Sequence, residues 1–171
     1  MKSHETFALT MRPKDVELLV PEHPLLHDFE HFQRQIARRA FELFKDSGFT
    51  NGHDLDDWLK AESEFLHPAP LDVKETDSEY VVRVEVPGFQ EKEIKTAVDP
   101  HRVIVSAQQT SGSEHKQGKV VRTEQQSKTI FRSFSLPSNI DPHIVSKHLR
   151  DGVLEIRLAK AVSTKAKPAA A

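Results

Sequence analysis

Three histidines spaced four residues apart are the first candidates for chemistry in this sequence. His23, His27 and His31 would share one face of a continuous helix, and imidazole is a common zinc ligand. Pro24 lies inside the set, however, and proline is favoured in the first turn of a helix, so His23 is expected to precede that helix. Only a pair remains, and we interpret these histidines as solvated or capping side chains. No metal site is predicted.

The acidic cluster Asp54, Asp56 and Asp57 is the second candidate. Its spacing is not that of the oxygen ligands in a calcium loop, whereas carboxylates at the start of a helix stabilise the helix dipole. The sequence contains no cysteine, no phosphate-binding glycine-rich loop, no His-Glu-x-x-His and no nucleophile elbow. We therefore expect neither an enzyme nor a bound cofactor.

Charge and composition narrow the function classes further. The 24 Lys and Arg residues are balanced by 26 Asp and Glu, so no basic field is available to attract nucleic acid. No apolar run approaches the roughly 20 residues that a membrane span needs, and no apolar leader opens the chain. We therefore expect a protein that binds neither nucleic acid nor membrane. Because a chain without cysteine suits a reducing compartment, we expect it to be cytoplasmic.

The first half of the chain has helical periodicity. Large apolar residues recur at helical spacing after Pro24, which is suited to begin a helix, and Gly48 is suited to end it. A second, shorter helix follows, and the two are predicted to form a hairpin over residues 24–66, with "HPAP", residues 67–70, as a linker. So small a pair should pack on a second copy or on the next domain. Its apolar stripe comprises Phe29, Phe32, Ile36, Phe44 and Trp58.

The second half has a period of two. Short strands between Leu71 and Lys160 recur at the spacing of an all-β sandwich, and Asp151-Gly152 predicts a hairpin turn. Polar residues dominate from Gln108 to Lys128, which predicts a long projecting loop with at most one strand. At the two ends, residues 1–23 are predicted to be a flexible segment and residues 161–171 a disordered tail.

Four segments, in order, resemble the α-crystallin domain of the small heat-shock proteins: "VEVPGFQEKEIK", "RVIVSAQ", "FRSFSLPSNID" and "LRDGVLEIRL". The last is similar to the family's A-x-x-x-n-G-V-L box, except that Lys147 stands where the family prefers Ala. Residues 31–66 resemble a short bacterial domain of unknown function through "RRAFELF" and "GHDLDDW". The resemblance implies a mainly β chain, with an immunoglobulin-like sandwich over residues 71–160 behind an N-terminal helical hairpin.

The function that this resemblance implies is that of an ATP-independent holdase. Such a protein binds partly unfolded clients through exposed apolar surface and prevents their aggregation, as a homodimer or a larger homo-oligomer. The alternative is a β-sandwich adaptor, similar to the CS-domain co-chaperones, that docks one specific folded partner. The long loop and the Gly-Val-Leu box favour the holdase, while the missing tail motif of the family and an ordered hairpin give the adaptor some weight. The apolar stripe of the hairpin is either simple core or a client or assembly surface that opens on heating.

The resemblance also implies a dimer interface. Family members of the bacterial and plant type exchange a strand carried on the long loop, for which Val120, Val121 and Arg122 are the candidates here. The alternative is a solvated loop folded back on its own subunit. Arg132 falls where the family carries an arginine that forms ion pairs between subunits, or it is an ordinary outward arginine of a strand.

A peptide groove is the last implied feature. In the family, the strands "EIKTAV" and "IVSKHL" border an apolar groove that accepts an Ile/Val-x-Ile/Val motif from a neighbour's tail, and no such motif follows Leu158 here. The groove either stays open to clients or is filled by "VELLVPEH", where Val16, Leu18 and Val20 repeat at strand spacing, unless that stretch is a frayed terminus. The candidate lining residues are Ile94, Thr96, Val98, Ile144 and Leu149.

Overall fold

A computed structural model describes residues 13–162 of the chain. Within this range two α-helices and a 3-10 turn at Glu91–Glu93 accompany two four-stranded sheets, sheet A in the order β1-β4-β5-β6 and sheet B in the order β2-β3-β8-β7. The predicted β-sandwich with an N-terminal pair of helices is confirmed. The elements are β1 Val16–Leu18, α1 Pro24–Asp46, α2 Asp54–Phe65, β2 Leu71–Glu75, β3 Glu79–Glu85, β4 Ile94–Val98, β5 Arg102–Gln117, β6 Val120–Ser135, β7 Ile140–Arg150 and β8 Val153–Lys160.

The two sheets pack face to face around one apolar core. Val82 and Ile156 are paired across sheet B, and both side chains point inward and are fully buried. Val103 and Val105 of β5 meet them from sheet A. Burial of each such aliphatic side chain contributes about 1.5–3 kcal/mol, so the alternation in sequence is what holds the sandwich together.

The turn between β7 and β8 has the geometry that its sequence predicts. Asp151 and Gly152 both have positive φ, 50° and 75°, as the two central residues of a type I′ hairpin turn do. Asp tolerates this conformation better than most residues, and glycine has no Cβ to oppose it. The predicted hairpin turn is confirmed.

The helical hairpin lies on the outer face of sheet A. Ala97, Ile104 and Phe131 point outward from three neighbouring strands, and all three are buried in a second apolar cluster with side chains of α1 and α2. The hairpin is predicted to pack on a second copy or on the next domain. In the structure of the single chain it packs on the next domain, the sandwich. Sheet A is therefore covered on both faces.

The stretch from Gln108 to Lys128 is not a loop. It forms the ends of β5 and β6, which pair in continuous antiparallel register around a two-residue turn at Gly118, whose φ is 66°. The prediction of a loop with at most one strand is wrong. Both faces of this two-stranded ribbon are exposed to solvent, so its sequence needs no alternation of apolar residues. Pairing of the two strands satisfies the backbone hydrogen bonds. We call residues 108–128 the arm.

The two ends of the chain differ in what the structure describes. Val16–Leu18, inside the range predicted to be flexible, forms β1 because it pairs in parallel with β4. Residues 1–12 of that predicted segment, and residues 163–171 of the predicted tail, lie outside the described residues. Between residues 13 and 162, neither helix is long and apolar enough to cross a membrane.

Candidate functional site

The groove between β4 and β7 is occupied by the chain's own β1. Val16 is opposite Thr96, Leu18 is opposite Val98, and the Leu19 amide donates to the Val98 carbonyl at 2.7 Å. Val16 is only 1% exposed and belongs to the core between the sheets. Val20, which the spacing grouped with Val16 and Leu18, is 47% exposed because the chain leaves the strand before it.

The structure brings most of the predicted groove residues together. Ile94, Thr96 and Val98 are buried on β4, and Leu149 packs against the same core from β7. Ile144 is half-buried and precedes Val145, where the register between β7 and β8 shifts. By alternation along β7, Val145, Lys147 and Leu149 share the inward face, whereas Ile144 does not.

Sequence reasoning missed Val145 and Lys147 as lining residues. Val145 is 2% exposed, and the Lys147 side chain is 1% exposed with its Nζ 2.5 Å from a carboxylate oxygen of Asp15. Lys147 Nζ has no hydrogen-bond partner in the part of the chain that the structure describes, so this contact is an ion pair. The signal was present in the sequence as the lysine that replaces alanine in the Gly-Val-Leu box.

A second polar contact fixes the other end of β1. His23 is the N-cap of α1: its Nδ1 accepts from the Leu25 amide at 3.1 Å, and its Nε2 lies 2.5 Å from a carboxylate oxygen of Glu17. The buried ring thus links β1 to the start of the helix. This is the capping role, and among residues 13–162 no group of three or more His, Asp or Glu side chains is arranged to hold a metal ion.

The edge of β6 carries the predicted dimer residues. Val120 and Val121 are 60% and 55% exposed near the tip of the arm. Arg122 is opposite His115 on the partner strand, and its side chain lies outside the described part. In this single chain β6 pairs with β5 of the same subunit.

Arg132 lies where β6 meets the linker. It is half-buried and lines a crevice of about 370 Å³ with Leu59 and His67. The His67 amide donates to the Thr129 carbonyl at 2.8 Å, so the linker covers one point of this sheet edge. Among the side chains that the structure describes, no acidic group forms an ion pair with Arg132.

Four of the five residues of the predicted helical stripe face sheet A. Phe29, Phe32 and Trp58 pack in the outer cluster, and Ile36 is 2% exposed. Phe44 is different: its ring lies 6.3 Å from Phe41 and 5.4 Å from Phe49, both of which are exposed.

An ion pair fastens the two helices to each other. Arg39 donates through Nε and Nη2 to both carboxylate oxygens of Glu64, at 2.6 and 3.1 Å, and through Nη1 to Glu42 at 3.2 Å. These hydrogen bonds hold the pKa of Glu64 below its usual range and raise the pKa of Arg39.

The acidic cluster Asp54, Asp56 and Asp57 lies in the first turn of α2, whose N-cap is His53.

Comparison with known protein families gives two matches along the chain. The sequence pattern described as the Hsp20/alpha crystallin family matches residues 72–170, and that of a protein of unknown function, DUF2934, matches residues 31–66. The 17.9 kDa class II heat shock protein of Glycine max is 26% identical over 85% of this chain and 89% of its own length. Small heat shock protein C4 of Rickettsia felis is 32% identical over 56% of this chain and 59% of its own length.

One solved structure is similar to part of the chain. Heat shock protein 16.0 from Schizosaccharomyces pombe aligns over 60% of this chain and 80% of that chain, with 21% identity and a TM-score of 0.46. Among the sequence relatives, the chain spans most of the length of the soybean protein and less than two thirds of that of the rickettsial one.

Proposed function

The chain belongs to the Hsp20/alpha crystallin family, and from this premise we propose that it is an ATP-independent holdase. It binds partly unfolded clients through apolar surface and keeps them from aggregating, without a catalytic step. Family membership and the heat-shock relatives support a chaperone role. We place it in the cytoplasm, which suits a chain without cysteine.

The observation that carries this proposal is that sheet A is apolar on both faces and that small N-terminal elements cover it. The three-residue β1 covers the groove beside β4, and the hairpin covers Ile104 and Phe131 on the outer face. Elements with few buried contacts open at lower free energy than the core of a domain. Their opening on heating would expose apolar surface when clients begin to unfold.

The test is light scattering of a heat-labile client enzyme during a temperature ramp without ATP. We expect the full chain to suppress scattering at equimolar to several-fold excess. An equal mass of an unrelated β-sandwich protein is the control and should have no effect.

Failure would have a definite meaning. If the full chain does not suppress scattering while circular dichroism shows that it stays folded, the holdase proposal is wrong. The adaptor alternative would then be examined by seeking one specific folded partner.

We further propose that the chain forms a homodimer through the arm. Val120 and Val121 place two apolar side chains on an otherwise polar ribbon, and β6 is the edge strand of sheet A. An exposed edge pairs readily with a second chain. Arg122 and Arg132 lie on the same strand and are the proposed polar contacts.

Analytical ultracentrifugation tests this assembly. Val120→Lys combined with Val121→Lys should convert the dimer to monomer, because two charges would be placed at the interface. Val162→Lys is the matched control, since Val162 is 89% exposed at the end of the described chain. A dimer that survives the double substitution would exclude the arm as the interface.

A further inference from the structure

We propose that Lys147 makes the groove selective for an extended strand that carries a carboxylate directly before a β-branched residue. The occupant is the chain's own segment Asp15–Leu18, as it lies in the structure. This selectivity goes beyond the proposed holdase function and does not depend on it.

The apolar contacts of β1 do not explain such selectivity. Val16 fills the space between the sheets, but another β-branched side chain of similar size would fill it as well. The backbone pairing with β4 accepts any strand, because main-chain hydrogen bonds do not read side chains. A further contact must distinguish one strand from another.

Lys147 supplies that contact. Its side chain is 1% exposed, and among the described side chains the carboxylate of Asp15 is the one acidic group within ion-pair distance of its Nζ. A buried ammonium without a counter-charge is strongly unfavourable, so a neutral or basic strand in the groove would leave that cost uncompensated. Rejection of such strands is selectivity by exclusion.

The charge of Glu17 on β1 and the charges of the tail fit this assignment. Glu17, two residues after Asp15, contacts His23 and so is engaged on the helix side of the segment. Residues 163–171 carry two lysines and no acidic residue, which makes the chain's own tail a poor ligand for a groove containing a buried lysine. The acidic segment and the lysine are thus matched within one sequence.

Amide hydrogen exchange in the full chain tests the coupling between the two residues. The reporter is the Leu19 amide, which is held by the Val98 carbonyl only while β1 is docked. Asp15→Asn should accelerate its exchange at least about 10-fold, as expected for loss of a charged partner, but less than twofold in the Lys147→Met background. Asp72→Asn, at an exposed position on β2, is the control and should have no effect.

Equal acceleration by Asp15→Asn in both backgrounds, or none in either, would overturn the proposal. Lys147→Arg gives a second comparison that does not rely on removal of the charge. In that background the effect of Asp15→Asn should return to at least fivefold, which a purely packing role of the lysine stem would not produce.

Peptide binding tests the selectivity directly. The full chain with Val16→Ser and Leu18→Ser has a weakened β1, and fluorescein-labelled peptides KDVELLV and KNVELLV are titrated against it by anisotropy. We expect the aspartate peptide to bind at least about 10-fold more tightly, and this ratio to fall to near one when Lys147→Met is added. Equal affinities, or binding of neither peptide, would overturn the assignment whether or not the chain suppresses aggregation.

Discussion

The ring of Phe32 on α1 lies 5.5 Å from the ring of Phe131 on β6, and Phe29 stacks on the same ring at 6.1 Å. Aromatic pairs at these distances are favourable beyond the area that they bury. Phe131 therefore contributes aromatic contacts with two side chains of α1 to the packing of the hairpin on the sandwich. Because it faces away from the core between the sheets, its loss should loosen the hairpin and leave the sandwich intact.

Phe131→Ala should release the hairpin. Phe131 is 7% exposed, and truncation of a buried phenylalanine costs about 3–5 kcal/mol. Amide exchange of α1 and α2 should accelerate strongly while the β3 and β8 amides stay protected. The temperature at which the chain first suppresses client scattering should fall, because its apolar outer face would open earlier.

Phe41→Ala is the matched control for that experiment. It also truncates a phenylalanine, here one on α1. Because Phe41 is 57% exposed, the free energy of unfolding should change by less than about 0.5 kcal/mol. If Phe131→Ala accelerated exchange equally in helices and strands, the hairpin and the sandwich would form one cooperative unit, and independent opening would be excluded.

Acidification should weaken the hairpin through Glu64. Its pKa is lowered below 4.5 mainly by hydrogen bonds from Arg39, so the folded state favours the charged carboxylate. The resulting stabilisation is fully present above the unfolded pKa and is lost as the pH falls through the lower folded value. Glu64→Gln should lower the melting temperature of the helices at pH 7, and this effect should become smaller as the pH falls towards 3.

Thermal circular dichroism at 222 nm, recorded from pH 7 to pH 3, measures this difference. Glu42→Gln is a useful comparison because Glu42 contacts Arg39 at 3.2 Å within the same helix and does not bridge to α2. A melting-temperature difference between wild type and Glu64→Gln that was constant across the range would show that charge is not the cause.

Gly152→Ala should destabilise the sandwich more than Gly88→Ala. Both glycines have positive φ, 75° and 82°, so alanine at either position incurs a backbone strain of about 1–2 kcal/mol. At Gly152 an added Cβ would also lie 3.3 Å from the Cα of Pro87, whereas at Gly88 no atom lies within 4 Å. The midpoints of urea unfolding give the comparison, and equal midpoints would show that the backbone near Pro87 yields without cost.

The sandwich can be predicted from the sequence because apolar alternation indicates strands with one buried face and residues such as Asp-Gly indicate the turns between them. Val82 and Ile156 follow that pattern, and the positive φ of Gly152 follows from its turn. The docking face of the hairpin was visible in principle. Val103, Ile104 and Val105 form a continuous apolar run, which is typical of a strand that is buried on both sides.

Other features could not be obtained from local patterns. The arm has few apolar residues, so its strand pairing depends on backbone hydrogen bonds that leave little trace in the sequence. The contact between Asp15 and Lys147 joins residues that are distant along the chain, and only the docking of β1 brings them together. Lys147 stood out as an unusual residue in its motif, but its partner could not be identified from the motif alone.

Arg132→Ala should weaken the proposed dimer without unfolding the subunit. Arg132 is opposite Val105 in the register and half-buried at the edge of sheet A, so a partner subunit at this edge would supply the counter-charge that residues 13–162 do not. Truncation of one member of a buried charge pair at an interface costs about 2 kcal/mol or more, a roughly 30-fold rise in the dimer Kd. Sedimentation equilibrium measures that Kd. Arg83→Ala is the control because Arg83 contacts Glu155 on the outer face of sheet B and should leave the mass unchanged. If both variants kept the wild-type Kd, Arg132 would have no role in the interface, and the dimer would depend on the arm alone.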